Sequence, residues 1–371
     1  MRVVLVSTGS YKMGTNYRVL GLAGTARKVG LDVHIVLPGL PENRKWFPDA
    51  QYEGVPIHFT RCGALAEIHD KYRILCSLRP QFVHCIDVIT KCLPVCMAYR
   101  ATHKCELIVD IDEHLSRIRL FGPFKRFYFR VNENLAKYVA DRLVVASRFL
   151  EQWFGRPQRQ PILYLANGVD LEVFDRQKDG WEEMKKQWMG RKVVTYFGAL
   201  SPHYDADIVF EAAVKILARR KDLVFLFVGD GPMRSVLSER AARDGLTDSI
   251  QFCGFVPDEQ VPKFLCASDV FVFPIRDNWW NRARCPGKVY YFTAAMVPII
   301  TNPVGEVYEA IKDCAWYFKD GDTEDLIRAI EECLATTNNR VCMDRALAER
   351  HSWQARAKTY IQFLASGNQD A

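Results

Sequence analysis

Hydrophobic residues along the chain fall into short runs that alternate with longer amphipathic stretches. In the first half, the apolar runs typical of buried strands are "RVVLVS", "DVHIVLP", "QFVHCID", "ELIVDID" and "RLVVAS". In the second half they are "KVVTYFGAL", "LVFLFVGDGP", "IQFCGF", "VFVFP" and "VPIITN". Helical patterns such as "NYRVLGLAGTARKVG" and "ADIVFEAAVKILARR" lie between them. This alternation predicts an α/β fold in which parallel sheets carry crossover helices on both faces.

A charged segment without strand character separates the two series of strands. It lies near residues 174–191 and is the best candidate for a linker between domains. A chain of 371 residues is also longer than one ordinary hydrophobic core supports. We therefore predict a Rossmann-like, doubly wound domain over residues 1–173, a second over 174–350, and a final helix over 351–371 that packs back across the domains.

Composition and charge limit the classes of protein to which this chain can belong. Hydrophobic residues make up 49% of the chain and charged residues 25%, as in a folded globular protein. The net charge of +6 is spread along the sequence, which suits an anionic small ligand or an anionic membrane surface and does not predict nucleic-acid binding. The apolar N-terminal run is short, so we expect neither a secretory signal nor a membrane span.

The cysteines and histidines show no pattern of a metal or disulfide framework. The 12 cysteines are scattered, and only Cys92 and Cys96 lie close together in sequence. We expect reduced thiols, a cytoplasmic protein and no metal cofactor.

Polar residues follow two strands of the first half. Ligands bind beyond the carboxyl ends of strands in open parallel sheets. Gly9 and Gly14 allow close backbone approach before a helix start, where an anion or sugar oxygens would be favoured, although a flexible turn explains them as well. After "ELIVDID", the candidates for hydrogen bonds to ligand hydroxyls or for proton transfer are Asp112, Glu113 and His114, while Asp110 is equally explained as a cap of the following segment.

The second half offers a glycine loop and a basic loop. In "FVGDGPM", Gly229 and Gly231 suit backbone contact with a ligand, or simply a tight turn capped by Asp230. "FCGFVP" presents backbone groups around Phe255 that could read the edge of a base. The basic loop predicts a clamp for a diphosphate, with a solvated loop as the alternative; its cations are Arg276, Arg282, Arg284 and Lys288.

Four segments together resemble the GT-B glycosyltransferases, specifically the large retaining family 4. They are "ANGVDLEVF" at 166–174, "FVGDGP" at 227–232, "IQFCGFVPDEQVPKFLCASDVFVFP" at 250–274 and "PGKVYYFTAAMVPIITNPVGE" at 286–306. The resemblance implies two Rossmann-like domains facing a central cleft, a nucleotide-diphosphate sugar as donor, and no cofactor. It also places Gly198, Tyr291 and Gly305 among the donor contacts.

The chain departs from that family at several positions. Ala199 and Tyr204 stand where the family has an arginine and a lysine that grip the diphosphate. Ala283 and Tyr291 stand where it has two glutamates, and Asp112 stands where it has a histidine. The basic loop would therefore have to supply the positive charge.

The predicted function is transfer of a sugar, with retention, to an acceptor hydroxyl in cell-surface glycan or glycolipid synthesis. The alternatives are a GT-B sugar-nucleotide epimerase and a non-catalytic nucleotide-sugar-binding protein; a dinucleotide oxidoreductase is disfavoured because its glycine fingerprint is absent. The acceptor would be a sugar or a lipid-linked glycan.

One predicted helix has a pattern that is relevant to binding at a membrane surface. Starting at Pro123, an apolar stripe comprises Phe124, Phe127, Tyr128, Val131, Leu135 and Tyr138. The stripe is typical of a core-facing side, while Lys125, Arg126, Phe129 and Arg130 lie off it. Those four residues either are solvated or dock a peripheral protein on the cytoplasmic leaflet.

Overall fold

The computed structural model describes residues 1–11, 13–89, 91–118, 121–155, 160–174, 180–188, 190–257, 259–336 and 344–366. The chain forms two compact units. The first comprises Met1–Gly168, Arg282–Gly287 and Ser352–Ala371, and the second comprises Val169–Asn281 and Lys288–His351. Parts of the predicted linker, residues 175–179 and 189, lie outside the described residues.

The strands of the first unit are β1 Arg2–Val6, β2 Asp32–Pro38, β3 Gln51–Tyr52, β4 Val55–Thr60, β5 Phe82–Ile86, β6 Glu106–Ile111, β7 Arg142–Val145 and β8 Ile162–Tyr164. Those of the second unit are β9 Lys192–Phe197, β10 Leu223–Val228, β11 Ile250–Gly254, β12 Val270–Phe273, β13 Ile299–Thr301 and β14 Ala315–Tyr317.

The helices before the second unit are α1 Gly14–Lys28, α2 Pro41–Trp46, α3 Ala64–Leu78, α4 Leu93–Thr102, α5 Pro123–Val139 and α6 Arg148–Phe154, with a 3₁₀ turn at Leu115–Arg117. Later helices are α7 Trp181–Lys186, α8 Ala206–Leu217, α9 Arg234–Arg243, α10 Val261–Ala267, α11 Trp279–Ala283, α12 Gly287–Ala294, α13 Gly305–Ile311, α14 Thr323–Ala335, α15 Arg345–Arg350 and α16 Trp353–Ala365, with a 3₁₀ turn at Lys312–Cys314.

The first unit is built on an eight-stranded sheet of order β3-β4-β2-β1-β5-β6-β7-β8. The short β3 pairs antiparallel with β4, whereas the other described pairs of this sheet are parallel. Successive residues of β1 point into different cores, since Val3 and Leu5 join one apolar cluster and Val4 and Val6 join the other. Burial on both faces explains why these strands read as continuous apolar runs.

The second unit contains a six-stranded sheet of order β11-β10-β9-β12-β13-β14. Every pair in it is parallel, so the carboxyl ends of all its strands lie at one edge. Helices α8 and α14 cover one face, where Phe210, Leu217 and Ile330 are buried against β9 and β10. The strand order reverses beside β9, which places the loops after β9, β10 and β12 where ligands bind in such sheets.

Helix α16 belongs to the first unit, although it comes last in the chain. Trp353, Ala357, Tyr360 and Leu364 are buried in the core that also contains α1 and β1. A Cβ atom added to Gly21 of α1 would lie 2.2 Å from the Trp353 ring, so the helices approach closely. The first unit is therefore assembled from both ends of the sequence.

Helix α5 buries a different side from the one that the sequence predicts, although Leu135 of the predicted stripe still packs against the core. Phe129, Glu133 and Ala136 face the protein. Four residues of the predicted core stripe, Phe124, Phe127, Val131 and Tyr138, are exposed instead. Periodicity identifies residues that share a face, but the packing partner, here the 3₁₀ turn Leu115–Arg117, decides which face is buried.

None of the helices, as far as the residues are described, is long and apolar enough to cross a bilayer.

Candidate functional site

Three predicted glycines lie together at the carboxyl edge of the second sheet. A Cβ atom on Gly229 would lie 1.9 Å from the Gly198 carbonyl oxygen, and one on Gly231 would lie 2.4 Å from the Leu200 carbonyl oxygen. Gly229 has φ +139° and Gly231 has φ +156°, a backbone conformation in which a side chain is strained. The close approach of these loops therefore requires glycine.

The amides of this glycine cluster are used within the loops themselves. Gly198 N donates to Val228 O at 2.9 Å, and Gly229 N donates to Gly254 O at 2.9 Å. Gly231 N donates to the Asp230 carboxylate at 2.8 Å. Because these three N–H groups are already hydrogen-bonded within the loops, we next consider side chains as the source of positive charge for a bound anion.

Lys288 brings such a charge directly to the cluster. It is the second residue of α12, and a Cβ atom on Gly198 would lie 3.1 Å from the Lys288 Nζ atom. The same ammonium lies 5.2 Å from the centre of the Phe197 ring and 5.8 Å from that of Tyr204. An anion in the space beside Gly198 would therefore meet a lysine at the start of a helix.

Arg276, the first cation of the basic loop, is held in an ion pair within the second unit. Its guanidinium binds the buried carboxylate of Asp205, which lies in the loop after β9 and has φ +52°. Burial raises the pKa of Asp205, against the effect of Arg276, which lowers it. The Arg276 carbonyl also accepts a hydrogen bond from Asn281 Nδ2 at 2.8 Å. These contacts fix the conformation of the basic loop, in addition to placing the positive charge of Arg276 there.

The other predicted residues of the donor site are spread over both units. Arg282, which is exposed, and Arg284 belong to the short segment of the first unit, separately from Lys288. Phe255 follows β11 and is exposed, as a residue beside a nucleotide base would be. Tyr291 stacks on Phe174 at 5.0 Å, and Gly305 begins α13 with φ +51°.

Arg234 is a cation near the glycine cluster that the sequence analysis missed. A Cβ atom on Gly254 would lie 3.1 Å from Arg234 Nη1, and Gly254 is hydrogen-bonded to Gly229. A cavity of about 450 Å³ adjoins it, lined by Arg234, Gln251, Phe252 and Cys253 among others. The signal that could have indicated it is its position at the start of α9, directly after the loop that contains Gly229 and Gly231.

In the first unit, two buried asparagines shape the loop after β1. Asn16 accepts a hydrogen bond from Ser7 at 2.5 Å and donates to the Thr8 and Ser10 carbonyls. Asn43 donates to the Gly9 carbonyl at 3.1 Å and accepts from Tyr11 N at 2.7 Å. Gly9 has φ +75°, whereas Gly14 begins α1 and has open space around it.

The Asp110 carboxylate is buried and supports the fold rather than facing a ligand. It binds Arg18 at 2.9 Å, with both side chains fully buried, and lies 3.3 Å from His84 Nε2. The opposite ring nitrogen of His84 pairs with the Tyr360 hydroxyl at 2.7 Å. Although burial alone would raise it, the pKa of Asp110 is lowered by Arg18 and His84. This network joins α1, β5, β6 and α16.

Asp112, one residue beyond β6, is only partly buried. It accepts a hydrogen bond from Thr15 Oγ1 at 2.7 Å, and burial raises its pKa. Asp87, beyond the neighbouring strand β5, was missed by the sequence analysis; it has φ +73°, and its N–H donates to Asp110 O at 3.3 Å. Burial raises the pKa of Asp87 well above its usual range, and the charge of Asp112 adds to this effect.

Glu113 and His114 follow in the same loop but differ in exposure. His114 is buried, lies 3.4 Å from Glu133 of α5, and packs 5.1 Å from the Trp153 ring. Glu113 is partly exposed. The structure thus turns His114 toward α5 and leaves Asp112 and Glu113 as the more accessible carboxylates of this loop.

No group of three or more histidine, cysteine or acidic side chains is placed to hold a metal ion in the part of the chain that the structure describes.

The chain is similar to known proteins, and the matching segment includes this site. Residues 191–336, the segment that contains the glycine cluster and Lys288, match the family described as "Glycosyl transferases group 1". One relative is a GDP-mannose-dependent alpha-(1-6)-phosphatidylinositol monomannoside mannosyltransferase of Mycolicibacterium smegmatis, 26% identical over 245 residues that cover 62% of this chain and 64% of the relative.

A second relative is the phosphatidylinositol N-acetylglucosaminyltransferase GPI3 subunit of Saccharomyces cerevisiae. It is 21% identical over 235 residues, covering 61% of this chain and 51% of the relative. The chain thus aligns with less than two thirds of the length of either relative. The structure of Anabaena Alr3699/HepE in complex with UDP and glucose is similar, with a TM-score of 0.77, 15% identity and coverage of 99% of this chain and 100% of that one.

These similarities confirm the resemblance to group 1 glycosyltransferases and the α/β fold of GT-B type. Both relatives are named as glycosyltransferases, the class of enzyme that the sequence predicts for this chain.

Proposed function

We propose that this protein transfers a sugar from a nucleotide-diphosphate sugar to an acceptor hydroxyl. The observation that carries the proposal is the position of the Lys288 ammonium beside Gly198, at the ligand-binding edge of the domain that matches the glycosyltransferase family. The Anabaena protein of similar fold is described in complex with UDP and glucose, which supports a nucleotide sugar as the ligand of this site.

In the proposed reaction, the bond between the anomeric carbon and the diphosphate oxygen breaks as the acceptor oxygen bonds to that carbon. Negative charge grows on the departing diphosphate, and the Lys288 ammonium stabilises it. The acceptor hydroxyl loses its proton in the same reaction. Asp112 is the best candidate of its loop to contact the reacting sugar or to accept that proton, because it is partly exposed and its raised pKa favours proton binding.

The finer parts of the proposal concern stereochemistry and setting. We propose retention at the anomeric carbon, in line with the family that the sequence motifs resemble. Both relatives carry phosphatidylinositol in their names, which supports a lipid-linked acceptor and a role in cell-surface glycan or glycolipid synthesis. Such an enzyme would be cytoplasmic and peripheral on the inner face of the cell membrane.

Incubation with a panel of nucleotide sugars tests the function. Release of nucleoside diphosphate that requires an acceptor, with a glycosylated product, is the expected result. Conversion of the donor sugar without any acceptor would instead identify an epimerase. Tight binding of a nucleotide sugar without turnover, across lipid-linked and free sugar acceptors, would contradict the proposal and identify a binding protein.

A further inference from the structure

The outward side of helix α5 is unusually apolar. The exposed fractions are 90% for Phe124, 65% for Phe127, 48% for Val131 and 64% for Tyr138. Spacings of three, four and seven residues place all four on one side of the helix, and we call them the docking face. Scattered surface hydrophobics are ordinary, but a continuous row of large ones marks a surface that another apolar phase covers.

Positive charge surrounds the docking face. The ionisable carboxylate and basic side chains of α5 are Glu133 and the four cations Lys125, Arg126, Arg130 and Lys137. Glu133 is buried, where it accepts a hydrogen bond from Ser116 N at 3.0 Å and lies beside His114. Lys125 and Arg130 are exposed. The exposed part of α5 is therefore both apolar and cationic, which complements a phase with apolar interior and anionic surface.

A basic pocket adjoins the docking face. It measures about 270 Å³ and lies between α5, the turn Leu115–Arg117 and α6. Arg130 and Lys137 of α5 line it from one side, and Arg117 and Trp153 line it too. The Arg117 guanidinium lies 5.3 Å from the centre of the Trp153 ring, and Lys137 Nζ donates to the Trp153 carbonyl at 3.2 Å. The Glu133 carboxylate lines the pocket as well, but the three cations outnumber it, which suits a phosphate group.

We propose that α5 docks the protein on an anionic membrane leaflet, with the docking face at the boundary between headgroups and acyl chains and a lipid phosphate in the basic pocket. The docking surface stands on the exposure and charge of α5 alone; only its purpose, access to a lipid-linked acceptor, rests on the proposed function. Anionic lipid is favoured over a protein partner because the cations flank the apolar row on a helix whose carboxylate is buried.

The basic side chains and exposed rings of α5 also determine how strongly the protein should bind the membrane. Each basic residue near an anionic surface strengthens binding about fivefold, or by about 1 kcal/mol. The rings insert only to the depth of an interfacial helix, so binding should be reversible and should weaken as salt screens the cations.

Flotation of the full chain with vesicles tests the proposal. Wild-type protein should float with mixed phosphatidylcholine and phosphatidylglycerol vesicles at low salt and far less with phosphatidylcholine alone. Replacement of both Phe124→Gln and Phe127→Gln should lower binding about tenfold or more. The matched controls Leu65→Gln and Val236→Gln remove equally exposed hydrophobics elsewhere and should leave binding unchanged.

Charge reversal provides the second arm. Lys125→Glu with Arg130→Glu should abolish the preference for anionic vesicles, while Arg73→Glu with Lys104→Glu, also exposed, should preserve most of it. Equal binding to both vesicle types would overturn the proposal, as would unchanged binding of the α5 variants. A wild-type dimer that the docking-face variants convert to monomer, without vesicle binding, would instead identify a protein interface and equally overturn it.

The same variants separate this proposal from the proposed function. Calorimetric titration of UDP and GDP into the docking-face variants should give wild-type affinity, because the substituted side chains lie on α5 of the first unit and Lys288 lies in the second. Loss of vesicle binding with intact nucleotide binding supports both proposals. Vesicle binding without any nucleotide binding would contradict the proposed function alone.

Discussion

At the residue scale, the carboxylates beyond β5 and β6 differ in ionisation because their neighbours differ. Asp110 is paired with Arg18 and keeps its charge, so its pKa is lowered. Asp87 is partly buried near other carboxylates, so its pKa is raised. One small region thus contains one carboxylate that stabilises the fold by being charged and another that destabilises it when charged.

The two aspartates should therefore respond oppositely to replacement by asparagine. The unfolded chain loses the Asp87 proton near pH 3.8, before the folded protein does, so wild-type stability falls as pH rises above that value. Asp87→Asn removes this loss and should stabilise the protein at neutral pH, with little effect below about pH 4. Asparagine also tolerates the positive φ of this position.

Asp110→Asn should instead destabilise the protein at neutral pH by about 3–5 kcal/mol, because it leaves Arg18 buried without its charged partner. That difference should shrink as pH falls through the lowered pKa of Asp110. Urea unfolding of both variants across pH measures these effects. Destabilisation by Asp87→Asn at neutral pH would contradict the account of the cluster.

Asp112 tests the chemistry of the same edge. Asp112→Asn retains an oxygen that can accept from Thr15 but cannot take up a proton, so turnover should fall about 10²–10⁴-fold while nucleotide affinity changes little. Glu113→Gln, which changes the other accessible carboxylate of the loop, is the comparison and should lower turnover less. Initial rates measure turnover, and calorimetric titration measures nucleotide affinity. Full turnover in the folded Asp112 variant would place the reacting group elsewhere.

At the element scale, the glycine cluster of the second unit depends on close approach of two loops. Gly229→Ala would place a methyl group against the Gly198 carbonyl, and the strain of its positive φ adds to that clash. Gly245→Ala is the control, because Gly245 has φ +66° but open space around it, so it should cost only about 1–2 kcal/mol. Gly229→Ala should cost more and should also abolish UDP binding. Equal unfolding midpoints and retained binding would contradict this arrangement.

The strands and helices also show which structural features the sequence pattern predicts correctly. All ten apolar runs that predict strands contain strands, because burial on both faces leaves a signal that does not depend on distant contacts. The short strands β3, β8 and β14 were missed, as was β4, whose second residue is Pro56. Helix α5 was predicted as a helix with the wrong face inward, because the partner of Glu133 is His114, outside the helix.

The candidate site was predictable to a smaller extent. Glycines and charges at strand ends indicated Gly229 and Lys288, and the family resemblance indicated Gly198; the structure brings the three together. The sequence could not indicate that Asp205 pairs with Arg276, since they lie 71 residues apart. Nor could it indicate Asp87, whose raised pKa arises from burial and from carboxylates on the neighbouring strand.

At the scale of the whole molecule, the last helix completes the first unit. The Trp353 ring contacts Gly21 and Gly168 closely, and the side chain is buried. Trp353→Ala should therefore cost about 3–5 kcal/mol. Trp279→Ala, which removes a partly exposed tryptophan, should cost much less. Thermal unfolding followed by circular dichroism compares them, and similar melting temperatures would contradict the assignment of α16 to this core.

The central claim is that Lys288 and the glycine cluster bind the diphosphate of a nucleotide sugar. Calorimetric titration of UDP and GDP into wild type, Lys288→Ala and Lys221→Ala tests it most directly. Lys221 is the control because it precedes β10, at the opposite edge of the same sheet. We expect Lys288→Ala to weaken binding of the preferred nucleotide by about 1.5–3 kcal/mol, as for a lost hydrogen bond to a charged group, and Lys221→Ala to leave it unchanged. Unchanged affinity in folded Lys288→Ala would contradict the claim.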